Sequence, residues 1–116
     1  MKPKLAVKIG TLTLKNPVMA ASGTFGPEYG ELTDINSLGA YITKTITLEP
    51  RRGNPPPRIA ETASGMLNSI GLENKGVEDF IKNKLPLLKK VKVPIIVSIA
   101  GEYDSELKEL ARRLDK

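Results

Sequence analysis

Apolar residues along this chain fall into short runs separated by polar turns, and the runs alternate between two periods. Leu5 to Ile9 and Leu12 to Leu14 are brief β-type runs on either side of Gly10-Thr11, which predicts a two-residue hairpin with glycine at its first central position. Asn16-Pro17 leads into the continuous run Val18-Met19-Ala20-Ala21, closed by Ser22-Gly23, as expected of a strand buried on both faces. The same signature returns at Gly39 to Thr45 and at Ile95 to Ala100, the latter introduced by Val93-Pro94 and followed by Gly101.

Between these runs the period changes to that of a helix. A short helix is expected around Tyr29 to Ser37, and further on Val77, Phe80, Ile81, Leu85 and Leu88 share one helical face. Pro86 must break or kink that second helix, because it has no amide proton and its ring clashes with the carbonyl of Lys82. Ser105 to Lys116 sets Leu107, Leu110, Ala111 and Leu114 at helical spacing behind Asp104, an expected N-cap. Glu106 near the start and Arg112 and Arg113 near the end suit the helix dipole.

Strand and helix thus alternate three times, the order of a parallel βα array with right-handed crossovers. One stretch departs from it. Thr47 to Asn74 holds Glu49-Pro50-Arg51-Arg52-Gly53-Asn54-Pro55-Pro56-Pro57-Arg58 and then Ser64 to Leu72, longer than a βα connection requires, and long ordered loops tend to carry function.

Composition narrows the chemistry. At 116 residues, 40% hydrophobic and 27% charged, the chain has the balance of an ordinary globular domain. It has no cysteine and no histidine, which removes disulfides, thiolate metal sites and the commonest general base. No run approaches the roughly 18 apolar residues of a membrane span, and Met1 to Gly10 lacks the apolar core of a signal peptide, so a cytoplasmic protein is expected. The net charge of +5 favours anionic small molecules, whereas 4% aromatics leave little for the base stacking that nucleic acids require.

Each strand run meets a polar or small residue at its end: Ser22-Gly23, Lys44-Thr45, and Ser98 with Gly101 shortly after. Ligand sites of parallel βα folds lie at the carboxyl ends of the strands, so these positions are expected on one face. Lys44 shares a strand face with Ile42, and an unpaired ammonium there needs an anion or acceptors unless it escapes to solvent or pairs with a Glu. Asn68 offers a donor pair and an acceptor to the alternating edge of a pyrimidine or flavin ring; the plainer alternative is an Asx turn. Arg51, Arg52 and Arg58 have a plain alternative too, as solvated residues or partners of Glu49 and Glu61.

Taken in order, Asn16-Pro17, Ala21-Ser22-Gly23-Thr24-Phe25-Gly26, Lys44-Thr45 with Glu49-Pro50-Arg51, Gly53-Asn54-Pro55, Pro57-Arg58 and Gly65-Met66-Leu67-Asn68-Ser69-Ile70-Gly71-Leu72 resemble the N-terminal part of dihydroorotate dehydrogenase. The match runs from about residue 5 to 105, and its specificity lies in the order and spacing of motifs that are individually weak. Met66 to Leu72 looks closest to the bacterial two-subunit, NAD-linked branch, and no amphipathic helix of the membrane-bound quinone-linked branch precedes Leu5.

The resemblance implies an α/β fold in which residues 1–116 are the N-terminal portion of a single FMN-binding (β/α)8 TIM barrel, with a β-hairpin and about three parallel strands present. It implies oxidation of dihydroorotate to orotate in pyrimidine biosynthesis. Ala21, Ser22, Lys44, Thr45 and Ser98 would contact FMN; Lys44 would also reach the substrate, which Asn68, Ser69, Ile70, Gly71 and Leu72 would bind. A cation at Lys44 would favour the anionic, reduced flavin. No catalytic base is expected here, since the branch takes it as a cysteine from a later loop, and no metal ligand is expected either. A partner subunit carrying FAD and an iron–sulfur cluster would pass electrons to NAD, and a homo-oligomer is expected. A TIM barrel needs about 250 residues, so the 116 are expected to be a fragment inactive alone. The competing readings are a noncatalytic truncated module that folds through oligomer or partner contacts, and a related dihydropyrimidine dehydrogenase.

Overall fold

The computed structural model describes residues 4–23, 25–29 and 31–115; Thr24 of the Ala21-to-Gly26 motif, Gly30 of the expected Tyr29-to-Ser37 helix and the terminal Lys116 lie outside them. The chain organises as two compact units, one of Met1–Lys44 with Asn83–Ser98, the other of Thr45–Lys82 with Ile99–Lys116.

The first unit opens with the expected hairpin. Strands β1 (Val7–Ile9) and β2 (Leu12–Leu14) pair antiparallel, with Ile9 opposite Leu12, so Gly10-Thr11 forms the loop. Gly10 takes φ 57°, a left-handed conformation that costs glycine nothing. Leu14 turns inward from this hairpin and is fully buried.

Strands β3 (Met19–Ala20), β4 (Ala40–Ile42) and β7 (Ile95–Ile96) form one parallel sheet in the order β3-β4-β7. Only the central strand is well covered: Ala40 and Tyr41 are buried, while β3 and β7 are half-buried, not buried on both faces as the apolar runs suggested. An outer strand has a neighbour on one side alone, and pairing here extends over two residues on each side of β4. Two 3₁₀ turns, Pro27–Tyr29 and Ile35–Ser37, stand where a single helix was expected; Asp34 caps the second by accepting from the Asn36 amide at 2.9 Å.

Entry into β4 depends on a close approach. The Gly39 amide donates to the Val18 carbonyl at 2.8 Å, and a Cβ on Gly39 would lie 1.9 Å from the Asn16 carbonyl oxygen. Asn16 holds this corner, its side-chain amide donating to the Ser37 carbonyl at 2.9 Å while its oxygen accepts from the Val18 amide at 3.0 Å. Because backbone must move to admit the methyl, Gly39→Ala is expected to lower stability by about 2 kcal/mol or more in urea denaturation. An unchanged midpoint and slope would show that the corner yields freely.

The helix around Pro86 is interrupted in a way its chemistry explains. Helix α1 (Gly76–Asp79) runs into a five-residue π turn, Phe80–Lys84, and continues as α2 (Leu85–Leu88) with Pro86 in its first turn. Lys82, whose carbonyl the proline ring would strike in a regular helix, lies inside the π turn, where the wider winding relieves that clash. Leu88 is buried in the first unit, and Val77 and Phe80 are buried in the second.

The second unit contains a hairpin that the apolar pattern does not announce. Strands β5 (Ile59–Thr62) and β6 (Gly65–Asn68) pair antiparallel, with Ile59 opposite Asn68 and Thr62 opposite Gly65. All eight residues are exposed, so no burial imprints an alternating pattern on them. Helix α3 (Asp104–Leu114) buries Leu110 and starts one residue earlier than expected: Asp104 is its first residue, and the N-cap is Tyr103. The reason is Glu106, whose carboxylate reaches back to accept from the amides of Glu102 at 2.6 Å and Tyr103 at 3.2 Å.

Near the other end of α3, Glu109 accepts from both Arg112 and Arg113 at 2.7 Å, and Arg113 also pairs with Glu78. Hydrogen bonds from the two guanidinium groups pull the Glu109 carboxyl from 4.5 down to about 2. A folded-state value below the unfolded one stabilises the fold above the ordinary carboxylate range, and that stabilisation is lost as pH falls toward about 2. Glu109→Gln should therefore flatten the acid side of a plot of unfolding midpoint against pH, modestly, because solvent screens the group. Identical acid limbs would remove this network from the stability account.

Candidate functional site

In the first unit the parallel sheet delivers three of the expected residues to one edge. Ser22, Lys44 and Ser98 each lie two residues beyond the last residue of β3, β4 and β7 respectively. All three strands run the same way, so all three side chains belong to the carboxyl edge. The Ile42–Ile96 pairing puts Lys44 and Ser98 at the same level of the sheet.

What holds this edge is Thr43, a residue the sequence did not single out. Its amide donates to the Ile96 carbonyl at 3.0 Å, and its buried hydroxyl accepts from the Ser98 amide at 3.1 Å, so β4 and β7 stay joined past their last paired residues. Alternation puts Thr43 on the buried face with Tyr41 and leaves Lys44 with half-buried Ile42; the Lys44 side chain is exposed. Among the described residues the Lys44 ammonium makes no ion pair with a glutamate. Ala21 and Ser22 are exposed as well, and Ser98 is half-buried.

Tyr41 of β4 belongs to an aromatic group. Phe25 stacks on Tyr29 with centroids 6.1 Å apart and tilts against Tyr41 at 6.4 Å. The Tyr41 hydroxyl donates to the Phe25 carbonyl at 3.2 Å, and burial first, then the nearby Glu28 carboxylate, raises the phenol above its ordinary value.

The second unit carries the other expected residues. Thr45 is half-buried. Asn68 is the exposed last residue of β6, so its backbone is strand rather than the Asx turn that loop composition allowed. Beyond it the chain leaves the hairpin as Ser69-Ile70-Gly71-Leu72, and this segment is fastened on both sides. The Ser69 amide donates to the Arg58 carbonyl at 2.8 Å, the Ser69 hydroxyl and carbonyl accept from the Asn54 side chain at 2.6 and 3.2 Å, and the Ile70 carbonyl accepts from the Asn54 amide at 3.0 Å.

Gly71 and Leu72 both have positive φ, 76° and 56°. Glycine is required at the first, where a Cβ would lie 2.8 Å from the Asn54 nitrogen. The amides of Ile70, Gly71 and Leu72 donate to no acceptor among the described residues. Three neighbouring donors in a left-handed bend are chemically suited to an anionic oxygen.

The basic loop is ordered by partners other than those expected. Arg51 pairs with Glu102 at 2.7 Å and Arg58 pairs with Glu73, not with Glu49 and Glu61. Arg58 also donates to the carbonyls of Asn54 at 2.5 Å and Arg52 at 2.8 Å, so it clamps the loop that supports residues 69–73. Sequence separation hid both pairs: Arg51 and Glu102 are far apart along the chain, and charge alone does not choose between several glutamates.

The family model for dihydroorotate dehydrogenase matches residues 4–116. The dihydroorotate dehydrogenase B (NAD(+)) catalytic subunit of Desulforudis audaxviator is 56% identical over 99% of this chain, and that of a Thermoanaerobacter species is 55% identical over 96%. The chain spans 38% and 37% of the length of these two relatives. A crystal structure of DHODH from Eimeria tenella in complex with ferulenol superposes over 97% of this chain and 34% of that one, with a TM-score of 0.69 at 22% identity, a likeness of fold. Among the described residues no helix is long and apolar enough to cross a membrane.

Proposed function

The chain belongs to the dihydroorotate dehydrogenase family, and from that premise we propose that the protein of which it forms part oxidises dihydroorotate to orotate in pyrimidine biosynthesis. The observation that carries this reading is the family match along residues 4–116, reinforced by relatives above 50% identity that are named as catalytic subunits. We read β3, β4 and β7 as consecutive strands of an eight-stranded barrel. Their spatial order follows their sequence order without reversal, as a barrel requires and a doubly wound sheet does not.

FMN is the cofactor that the family implies, and the donor set at the carboxyl edge suits it: one exposed ammonium and two hydroxyls, able to meet the acceptor atoms of a flavin ring. In this reading Ala21, Ser22, Lys44, Thr45 and Ser98 hold FMN. When bound, it supplies the acceptor for the hydride that leaves carbon 6 of dihydroorotate. Lys44 brings a full positive charge to the reacting region and also reaches the substrate. Asn68 reads the pyrimidine edge with its carboxamide, Ser69 adds a hydroxyl, and the free amides of Ile70, Gly71 and Leu72 receive the substrate carboxylate. The proton on carbon 5 goes to a base outside these 116 residues, which contain neither cysteine nor histidine, and loss of hydride and proton leaves the ring double bond of orotate.

The relatives' names add a finer expectation. A catalytic subunit has a partner, and we infer one that carries FAD and an iron–sulfur cluster and reduces NAD, with the catalytic chain itself a homo-oligomer in the cytoplasm. The test is a comparison of substrates on the full-length gene product: dihydroorotate is expected to be turned over, and dihydrouracil to be a poor substrate. Preference for dihydrouracil would move the protein to a dihydropyrimidine dehydrogenase activity, and inertness toward both would favour a noncatalytic module.

A further inference from the structure

Resting on the reading above, we propose that Asn74, seconded by Asn54, is a positioning residue that sets the backbone of Ile70–Leu72 for the substrate carboxylate. The observation is a non-glycine residue in a costly conformation with a dedicated support. Leu72 has φ 56°, where an L-residue's Cβ crowds its own carbonyl, and its side chain is exposed. Its carbonyl accepts from the Asn74 side-chain amide at 2.8 Å.

Asn74 is itself rigidly held. Its second amide proton goes to the Thr47 hydroxyl at 3.0 Å, while its oxygen accepts from the backbone amides of Thr47 at 3.2 Å and Gly76 at 2.8 Å. Thr47 passes its own hydroxyl proton to the Glu49 carbonyl at 2.5 Å. Every hydrogen-bonding position of the Asn74 carboxamide is thus used, and only one of the four contacts acts on the substrate segment. The backbone of Asn74 is pinned in addition, exchanging bonds with Arg51 at 2.9 and 3.0 Å.

Asn54 fastens the other end of the same segment through Ser69 and abuts Gly71. With carbonyls 69, 70 and 72 turned to these supports, the amides of 70, 71 and 72 are left for a ligand. Neither asparagine touches substrate in this scheme; both act through the segment they shape.

The experiment measures orotate affinity by calorimetry on the full-length, FMN-loaded gene product. Asn74→Ala is expected to weaken orotate binding about tenfold, the equivalent of the left-handed penalty at Leu72, with FMN content unchanged. Adding Leu72→Gly removes that penalty and should restore affinity to within about threefold of the parent, a rescue that a purely structural role for Asn74 does not predict. Asn54→Ala, at an exposed position, should weaken binding about threefold through loss of the two side-chain hydrogen bonds to Ser69 and decides the matter should Asn74→Ala misfold. Parental affinity in a folded Asn74→Ala or in Asn54→Ala, or absence of rescue by Leu72→Gly, overturns the inference while leaving the functional reading intact. A parent protein that binds no orotate overturns both.

Discussion

Lys44→Ala in the full-length gene product is expected to lower turnover of dihydroorotate by about two orders of magnitude, the usual consequence of removing one preorganised electrostatic group from a reacting centre. It should also reduce the FMN retained through purification. The expectation comes from position: Lys44 lies at the carboxyl edge of the parallel sheet, beyond the central and best-buried strand, with its ammonium exposed. No ion pair to it exists among the described residues, so the charge is open to a ligand. Because the side chain is exposed, truncation should leave the thermal midpoint nearly unchanged, which separates a functional loss from an unfolded protein. Full FMN occupancy with a parental rate would reduce Lys44 to a surface lysine.

Asn68→Ala is expected to raise the KM for dihydroorotate about tenfold and to reduce turnover, with FMN content unaffected. A carboxamide that pairs with a pyrimidine edge leaves ring N–H and C=O groups without partners when it is removed, and such losses are costly in a site built around them. The backbone of Asn68 is paired with Ile59 in the β5–β6 hairpin, so its side chain is presented by a strand and not by a free loop. Release of FMN from the variant, with substrate affinity retained, would assign Asn68 to the cofactor instead.

The parts of the fold that the sequence made legible are those where burial or turn chemistry acts locally. Gly10-Thr11 between two β-type runs specified its hairpin because the loop needs a residue with positive φ. Pro86 marked the interruption of its helix because the missing amide and the ring clash act within one turn. The strand ends at Ser22, Lys44 and Ser98 were legible for the same reason, since each polar residue directly follows an apolar run.

The exposed β5–β6 hairpin left no such trace. Ile59, Met66 and Leu67 point to solvent like their polar neighbours, so burial imposes no period, and the stretch read as loop. Nor did composition reveal Thr43, Asn54 or Asn74, whose importance lies in hydrogen bonds to backbone distant in sequence. A threonine inside a strand and asparagines inside loops are ordinary until the partner atoms are known. The start of α3 was misplaced by one residue because Asp104 looks like a cap, whereas the long Glu106 side chain closes the turn from inside the helix.

The most direct measurement of the central claim is an anaerobic titration of the full-length gene product with dihydroorotate, followed by flavin absorbance and orotate release. Loss of the yellow colour with one orotate formed per flavin is the result this account predicts. A protein that holds flavin yet stays yellow in excess dihydroorotate, or one that carries no flavin at all, would contradict it.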